Sequence, residues 1–361
     1  MTKQKTYKTL IIVIAVIILV AVTAGVVCYL TLFRIYDTTT VATVNGVEIS
    51  AGELKNEMQR NRSDVLQYFK DTYDADTNNS KFWSTDFDGQ TPTQYLRDLS
   101  LTKVSSYKLQ QQLAYEYNII ADYSYQGFLD AMEKENAQRA QKVKNGEAIY
   151  GPQSYDKDTY YDYTFSNMVI ALKDSLSQEG GILYADDATL KNYYEQIKEQ
   201  QFKKVDTASY RVYSIAFDTG SGTYAYTKDQ ATQMISAVRD IILRSYNETS
   251  AVPAAYPEVE ITELEITDET ANSVYKSDQI LYEQSQKLQP DEVSEVFEDM
   301  YYIRVLKCYS RESAGYKPYE DVIDAVRSMY NDEKYDAYIE QLCKEYPPEK
   351  NEKYEKVTIE S

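Results

Sequence analysis

Whatever chemistry this chain performs has to be built without histidine. None of its 361 residues is His, which removes the commonest general base near neutral pH and the commonest zinc ligand. It also removes every Ser-His or Cys-His nucleophile. The three cysteines, Cys28, Cys308 and Cys343, form no CxxC pair, so no dithiol redox or thiol zinc motif is spelled out. No Gly-rich phosphate loop and no calcium-loop spacing occurs. The 57 Asp and Glu residues scatter along amphipathic stretches as a solvated face does, and no pair of them stands out as a glycosidase couple. Tyrosine is the residue in excess, 37 in all. Clusters such as Tyr160-Tyr161-Asp162-Tyr163 and Tyr193-Tyr194 join a large apolar ring to a polar tip. Such surfaces suit passing contact with unfolded chains. A general compositional bias, with rings half-buried between helices, accounts for the same count.

The elements that would position these side chains fall into two groups. Val41 to Leu54 reads as two short β runs around Asn45-Gly46, the pair that best tolerates the positive φ angles of a two-residue hairpin. Ser50 with Glu53 then spells a capping box. Helical spacing runs from Ala51 to about Asp74, and again from Thr93 to Tyr117. The polar stretch from Asp74 to Pro92 reads as a loop anchored by Phe82-Trp83. Asp122 is a candidate cap for a helix toward Lys144, ended by Asn145-Gly146, and Asp158 to Ser177 is helical again. Gly180-Gly181 breaks the chain before a helix capped at Ala185-Asp186-Asp187. The pattern changes at Ala208. Tyr210 to Phe217 alternates as a β-strand, a helix spans Thr227 to Ser245, a shorter one Gln279 to Gln289, and a strand Tyr301 to Tyr309. That order is α+β. A last amphipathic helix runs from Tyr316 to Tyr346, and Pro347-Pro348 stops it. The charged residues 348–361 beyond it read as a flexible tail.

Leu10 to Phe33 is a run of 24 residues with no charge, about 36 Å long as a helix and enough to cross a bilayer core. Lys3, Lys5 and Lys8 precede it, so residues 1–9 are expected in the cytoplasm and the bulk of the chain outside the cell membrane. A signal peptide cleaved after Val22-Thr23-Ala24 is the competing reading, although the apolar run exceeds a signal core of roughly 7–15 residues. Val27 before Cys28 argues against a lipidation site. The net charge is −19, and those three lysines are the only charges ahead of residue 34, so the exported part is more acidic still. Such a chain repels nucleic acid and anionic headgroups. Cys308 and Cys343 could pair once, but two isolated thiols fit the sequence better.

The hairpin Val-Asn-Gly-Val-Glu-Ile-Ser, following directly on an export segment, resembles the start of the SurA/PrsA family of extracytoplasmic chaperones. The later "YADDATLKNYYEQ" and "YKPYEDVIDAVRSMYNDEKYDAYIEQL" look like elements of the helical domain of that family. This resemblance implies an α+β chain with a transmembrane helix (10–33) and a mainly helical, SurA/trigger-factor-like domain begun by 40–206. The helix at 315–347 would complete that domain, with a parvulin-like α+β domain inserted at 207–312. "LQPDEVSEVFEDMYYIRVLKCYSR" looks like the turn and closing strand of a parvulin peptidyl-prolyl isomerase. The histidines of that family are replaced, by Ser214 in the opening strand and Tyr302 in the closing one, and its glycine loop is not recognisable where Glu258 to Thr267 stand. Ser214 and Tyr302 are therefore the candidate isomerase-site positions, with Tyr213, Phe297 and Tyr302 as candidate substrate contacts. Rotating an X–Pro bond faces about 18–20 kcal/mol and needs an apolar slot rather than proton transfer. Isomerase activity therefore survives in principle, although a degenerate domain fits the losses better. The expected function is a membrane-anchored chaperone or foldase that binds unfolded or partly folded exported polypeptides without ATP or any cofactor. A homodimer is compatible with it. The rivals are an active isomerase and a structural adaptor in a cell-wall or secretion complex.

Overall fold

The structure is a computed structural model that describes residues 35–220, 222–245 and 247–359. The expected cytoplasmic residues 1–9 and anchor 10–33 lie outside the described residues. Among the described residues no helix is long and apolar enough to cross a membrane. The chain divides into two compact units. One is built from the chain up to Ala185 together with Ser328–Ser361, the other from Asp186–Arg327.

The first unit opens with β1 (Thr40–Val44) and β2 (Val47–Ser50), antiparallel around Asn45-Gly46. Both turn residues have the positive φ that such a turn demands, 47° and 75°. The Ser50 side chain accepts from the Glu53 N–H while the Glu53 carboxylate accepts from the Ser50 N–H, and this capping box launches α1 (Ala51–Arg60). The single helix expected over 51–74 is instead two. Asn61, almost fully buried, turns its amide back onto the Glu57 carbonyl (2.9 Å) and onto Ser100 (3.2 Å). That local bond competes with the helix ladder, and α2 (Arg62–Tyr73) starts afresh. Phe82 anchors the following loop as expected. Next come α3 (Pro92–Glu116), α4 (Tyr125–Lys144) and α5 (Lys157–Leu176). The cap of α4 is Ser124 rather than Asp122. Asp122 stands two residues before it, accepting from the Ser124 N–H at 2.8 Å.

The second unit runs α6 (Asp187–Gln201), β3 (Thr207–Ala216), α7 (Lys228–Arg244), α8 (Glu248–Ala255), β4 (Glu260–Ile266), α9 (Ala271–Ser277), α10 (Gln279–Gln286), β5 (Phe297–Asp299) and β6 (Tyr302–Glu312). Its antiparallel sheet has the order β4-β3-β6-β5. Alternation sorts β3 onto two faces. Tyr213, Ile215 and Phe217 join Ile235 and Val238 of α7, whereas Ala208, Tyr210 and Val212 join Leu306, Cys308 and Leu288. The boundaries differ from the expected 207–312. Helix α6 belongs here because its Tyr194 hydroxyl donates to the Lys317 carbonyl (2.7 Å) and its Asp187 accepts from Tyr319 (2.8 Å). The interval from Glu258 to Thr267, where the glycine loop is not recognisable, holds the edge strand β4.

Helix α11 (Tyr319–Glu345) begins in the second unit and continues in the first, where Tyr335 and Ile339 pack with Leu113, Met168 and Leu172. A flexible tail was the expectation for 348–361, and the fold corrects it. Glu349–Lys350 form β7, which extends the hairpin to a β2-β1-β7 sheet. Tyr354 and Val357 are buried in the same core as Leu54 and Met58. Tyr354 donates to Asp98 at 2.7 Å, and the buried Arg97 reaches Glu355 at 2.7 Å. Two apolar side chains in a short coil make too weak a pattern to be seen among so many charges.

Candidate functional site

Four helices of the first unit leave a cavity of about 400 Å³ between them. Glu53, Asn56, Glu57 and Arg60 line it from α1, and Val104, Tyr107, Lys108 and Gln111 from α3. Both sets recur at i, i+3, i+4, i+7, one face of a helix. Phe128 and Ala131 of α4 and Tyr160, Tyr161 and Phe165 of α5 complete the wall. Tyr161 stacks on Phe165 with ring centres 5.4 Å apart, and Tyr107 meets Phe165 edge-on at 5.1 Å. Phe128 touches both Tyr160 (5.6 Å) and Tyr161 (5.9 Å). The Tyr160-Tyr161 cluster singled out by composition is therefore part of an aromatic wall around open volume.

The charges among these rings are arranged so that the space stays open. Lys108, only 2% exposed, meets Glu53 at 2.5 Å and donates to the Tyr123 carbonyl at 2.7 Å. Glu53 thereby serves both the cap of α1 and the cation deep in α3's lining face. Arg60 reaches Asp162 (2.7 Å) and Asp158 (3.2 Å) and lies 5.5 Å over the Tyr161 ring. Burial pulls the guanidinium's pKa down, but those two carboxylates outweigh it and raise it. Burial pushes the hydroxyls of Tyr107 and Tyr161 up, assisted at Tyr107 by Glu57 and at Tyr161 by Glu53. Gly52 is required by close approach: a Cβ there would sit 2.4 Å from the Tyr125 ring, which closes one side of the cavity.

The second unit shows a different surface where isomerase-site residues were expected. Ser214 is buried, and its register partners are Glu260 and Arg304; Tyr302 pairs instead with Ala216 and Asp299. Ser214 and Tyr302 thus share a sheet face without standing opposite each other. Arg304 lies between them, 4.7 Å over the Tyr302 ring, bonded to Asp278 and, at 2.5 Å, to Asp299. Asp278 also caps α10 through the Leu281 N–H at 2.9 Å. Burial and then the neighbouring Asp278 push Asp299 up to about 6. Burial also acts upward on Asp278, but Arg304 and the Leu281 N–H hold it below its ordinary value. Phe297 is half-buried on this face, packed against the cluster that includes Tyr210 and Leu306. Tyr213 is corrected as a substrate contact: it is wholly buried on the opposite face against α7. Cys308 and Cys343 are both free thiols.

Sequence reasoning missed the cavity because its lining comes from four separated helices. The signal that could have found it is the repeat of polar-aromatic pairs at i, i+3, i+4 within otherwise apolar stripes.

Residues 1–122 match the family of the SurA-like N-terminal domain. A chaperone for lacto-N-biosidase from Bifidobacterium longum is 26% identical over 129 residues, 36% of this chain and 45% of the relative. The alignment therefore spans less than half of that protein's length. Among solved structures, a SurA-like chaperone of Campylobacter jejuni is 12% identical, with 87% of this chain and 99% of that one covered and a TM-score of 0.31. PrsA of Bacillus subtilis is 12% identical over 86% of this chain and 92% of its own, with a TM-score of 0.19. Both superpositions are loose. Over its N-terminal third the chain is therefore SurA-like.

Proposed function

We propose that this protein is an extracytoplasmic holding chaperone, tethered by Leu10–Phe33, that engages unfolded exported polypeptides in the cavity of its helical unit without nucleotide. The observation that carries the reading is the open, aromatic-walled volume of about 400 Å³ in the SurA-like part. Its size falls in the range of about 300–1,000 Å³ in which proteins enclose ligands, and it suits a few side chains of a flexible chain. Binding through such a pocket is shallow and quickly reversed, as a holding chaperone requires. The acidic surface keeps the loaded protein soluble.

Ala131→Trp places a large ring in the cavity from an exposed helical position. The full chain should suppress aggregation of a reduced, unfolded secreted protein at stoichiometric concentration, and the variant should lose most of that protection. Unchanged protection by a folded variant would move client binding elsewhere. Isomerase activity is the second reading, and the filled sheet face around Arg304 speaks against it, because a twisted prolyl amide needs an apolar slot. A proline tetrapeptide assay on the full chain should show no turnover above background. The Bifidobacterium relative is named for one client, so crosslinking in cells addresses breadth. Many unfolded partners fit a general holdase, one unfolded partner a dedicated chaperone, and one folded stoichiometric partner an adaptor.

A further inference from the structure

The lining charges of the helical cavity do not balance. Four carboxylates, Glu53, Glu57, Asp122 and Asp158, face two cations, Arg60 and Lys108. Three of the four are committed. Glu53 is held by Lys108 at 2.5 Å, Asp158 by Arg60 at 3.2 Å, and Asp122 by the backbone and hydroxyl of Ser124. Glu57 differs. It is 5% exposed, yet it accepts only the Asn61 amide (3.0 Å), and the nearest ammonium, Lys103, is 4.0 Å away and itself bonded to Asn61. A carboxylate has about four acceptor sites, so most of this one's capacity is unused. Its negative charge is felt at the hydroxyls of both Tyr107 and Tyr161. Among the described residues neither hydroxyl has a hydrogen-bond partner.

A buried carboxylate with spare acceptors, lining the same cavity as several aromatic rings, is the chemistry that recognises an alkylammonium or guanidinium group. We propose that the cavity selects client segments in which a lysine or arginine neighbours an apolar anchor, the cation bonding to Glu57 between Tyr107 and Tyr161. The inference rests on reading the cavity as the polypeptide site, and it names what that site prefers. The rings of Phe128 and Phe165 take the anchor, and the cation supplies the selectivity. The acidic surface of the whole chain draws the same segments in from a distance.

The test uses the full-length chain in nonionic detergent and two fluorescein-labelled decapeptides of glycine and serine. One carries a central Phe-Lys pair, the other Phe-norleucine, which keeps the alkyl stem without the charge. In low salt the lysine peptide should bind about tenfold tighter or more, as a charge-assisted hydrogen bond predicts. Glu57→Gln should bring it to the norleucine level without weakening the norleucine peptide, and Ala131→Trp should abolish both. Equal affinities on the unaltered chain would overturn the preference while leaving the client-binding reading in place, and so would a preference that survives Glu57→Gln; binding that survives Ala131→Trp would put the peptides outside the cavity and overturn both. Binding of neither peptide would overturn both. Should Glu57→Gln fail to fold, acetylation of the peptide lysine makes the same deletion of charge from the ligand side, and an undiminished affinity then overturns the proposal.

Discussion

The helical unit and the α+β unit use the same kinds of residue to opposite effect. In the first, ion pairs run along the walls, Glu53 with Lys108 and Arg60 with Asp158 and Asp162, and the rings between them enclose empty space. In the second, Asp278, Arg304 and Asp299 lie across the sheet face itself, and Arg304 covers the ring of Tyr302. Aromatic content does not separate a binding surface from a filled one. Where the charges find their partners does. An ion pair between neighbouring helices holds a gap open, whereas one between neighbouring strands and a helix cap closes the face it stands on.

The two units can be perturbed and read separately, because the chain's single tryptophan, Trp83, lies in the first. The largest effect is expected from removing residues 349–361. That deletion strips Tyr354 and Val357 from the core and leaves the buried Arg97 without Glu355. Loss of a core aromatic costs about 3–5 kcal/mol by itself, so the urea midpoint seen by Trp83 fluorescence should collapse while the second unit's transition stays put. Lys108→Met comes next. It leaves Glu53, with a side chain 13% exposed, without its cation, at a cost of about 3–5 kcal/mol. A midpoint moving by less than a quarter of that would mean the wall pair does not hold the cavity.

Asp299 should give a smaller effect with a distinct pH signature. Its carboxyl is pushed from 3.8 up to about 6, so between about pH 4 and 6 the folded unit holds a proton that the unfolded chain releases. Stability must then fall as pH rises through that window. Asp278 works the other way: held below its ordinary value, it stabilises above pH of about 4, and that contribution is lost as pH falls further. Asp299→Asn should therefore stabilise the second unit by about 1–2 kcal/mol at pH 7.5 and by nearly nothing at pH 4. Urea unfolding followed by circular dichroism at the two pH values reads this directly. An identical shift at both would show that the carboxyl pair is not what burdens this face.

The division of labour was legible in the sequence to very different depths. The hairpin at Asn45-Gly46 and the Ser50–Glu53 box stand as read, because a positive-φ pair and a capping box are local devices with few alternatives. The strand read from Tyr210 to Phe217 is found at Thr207–Ala216, and the helix read from Thr227 to Ser245 at Lys228–Arg244 with Thr227 as its cap. What escaped was decided at long range. Asn61, whose amide turns back onto the Glu57 carbonyl where the helix ends, is held buried there by Ser100, 39 residues away. Tyr354 is buried just beyond Glu349–Lys350, which pair with β1 across most of the chain. The site residues divide likewise. Alternation puts Ser214 and Tyr302 on one face, but no spacing in the sequence reveals that Arg304, Asp278 and Asp299 converge there. The same alternation argues Tyr213 onto the other side, a consequence of period two that outweighs its tempting chemistry.

The smallest effect is the one that bears most directly on the contrast between the units. Tyr302 contributes its ring to Arg304 from a half-buried position, at 4.7 Å. Replacing it by alanine removes one cation–π contact, about 0.5–1 kcal/mol, and leaves Arg304 bonded to both aspartates. Tyr302→Ala should accordingly shift the second unit's urea midpoint slightly. It should leave Trp83's midpoint and the protection of unfolded clients untouched, and give the same background rate as the parent chain on a proline tetrapeptide. A tetrapeptide turnover that exists and falls with this substitution would mean that the Arg304 cluster frames a slot rather than filling one. The α+β unit would then hold a second working site, and the placing of ion pairs would no longer be what tells the two faces apart.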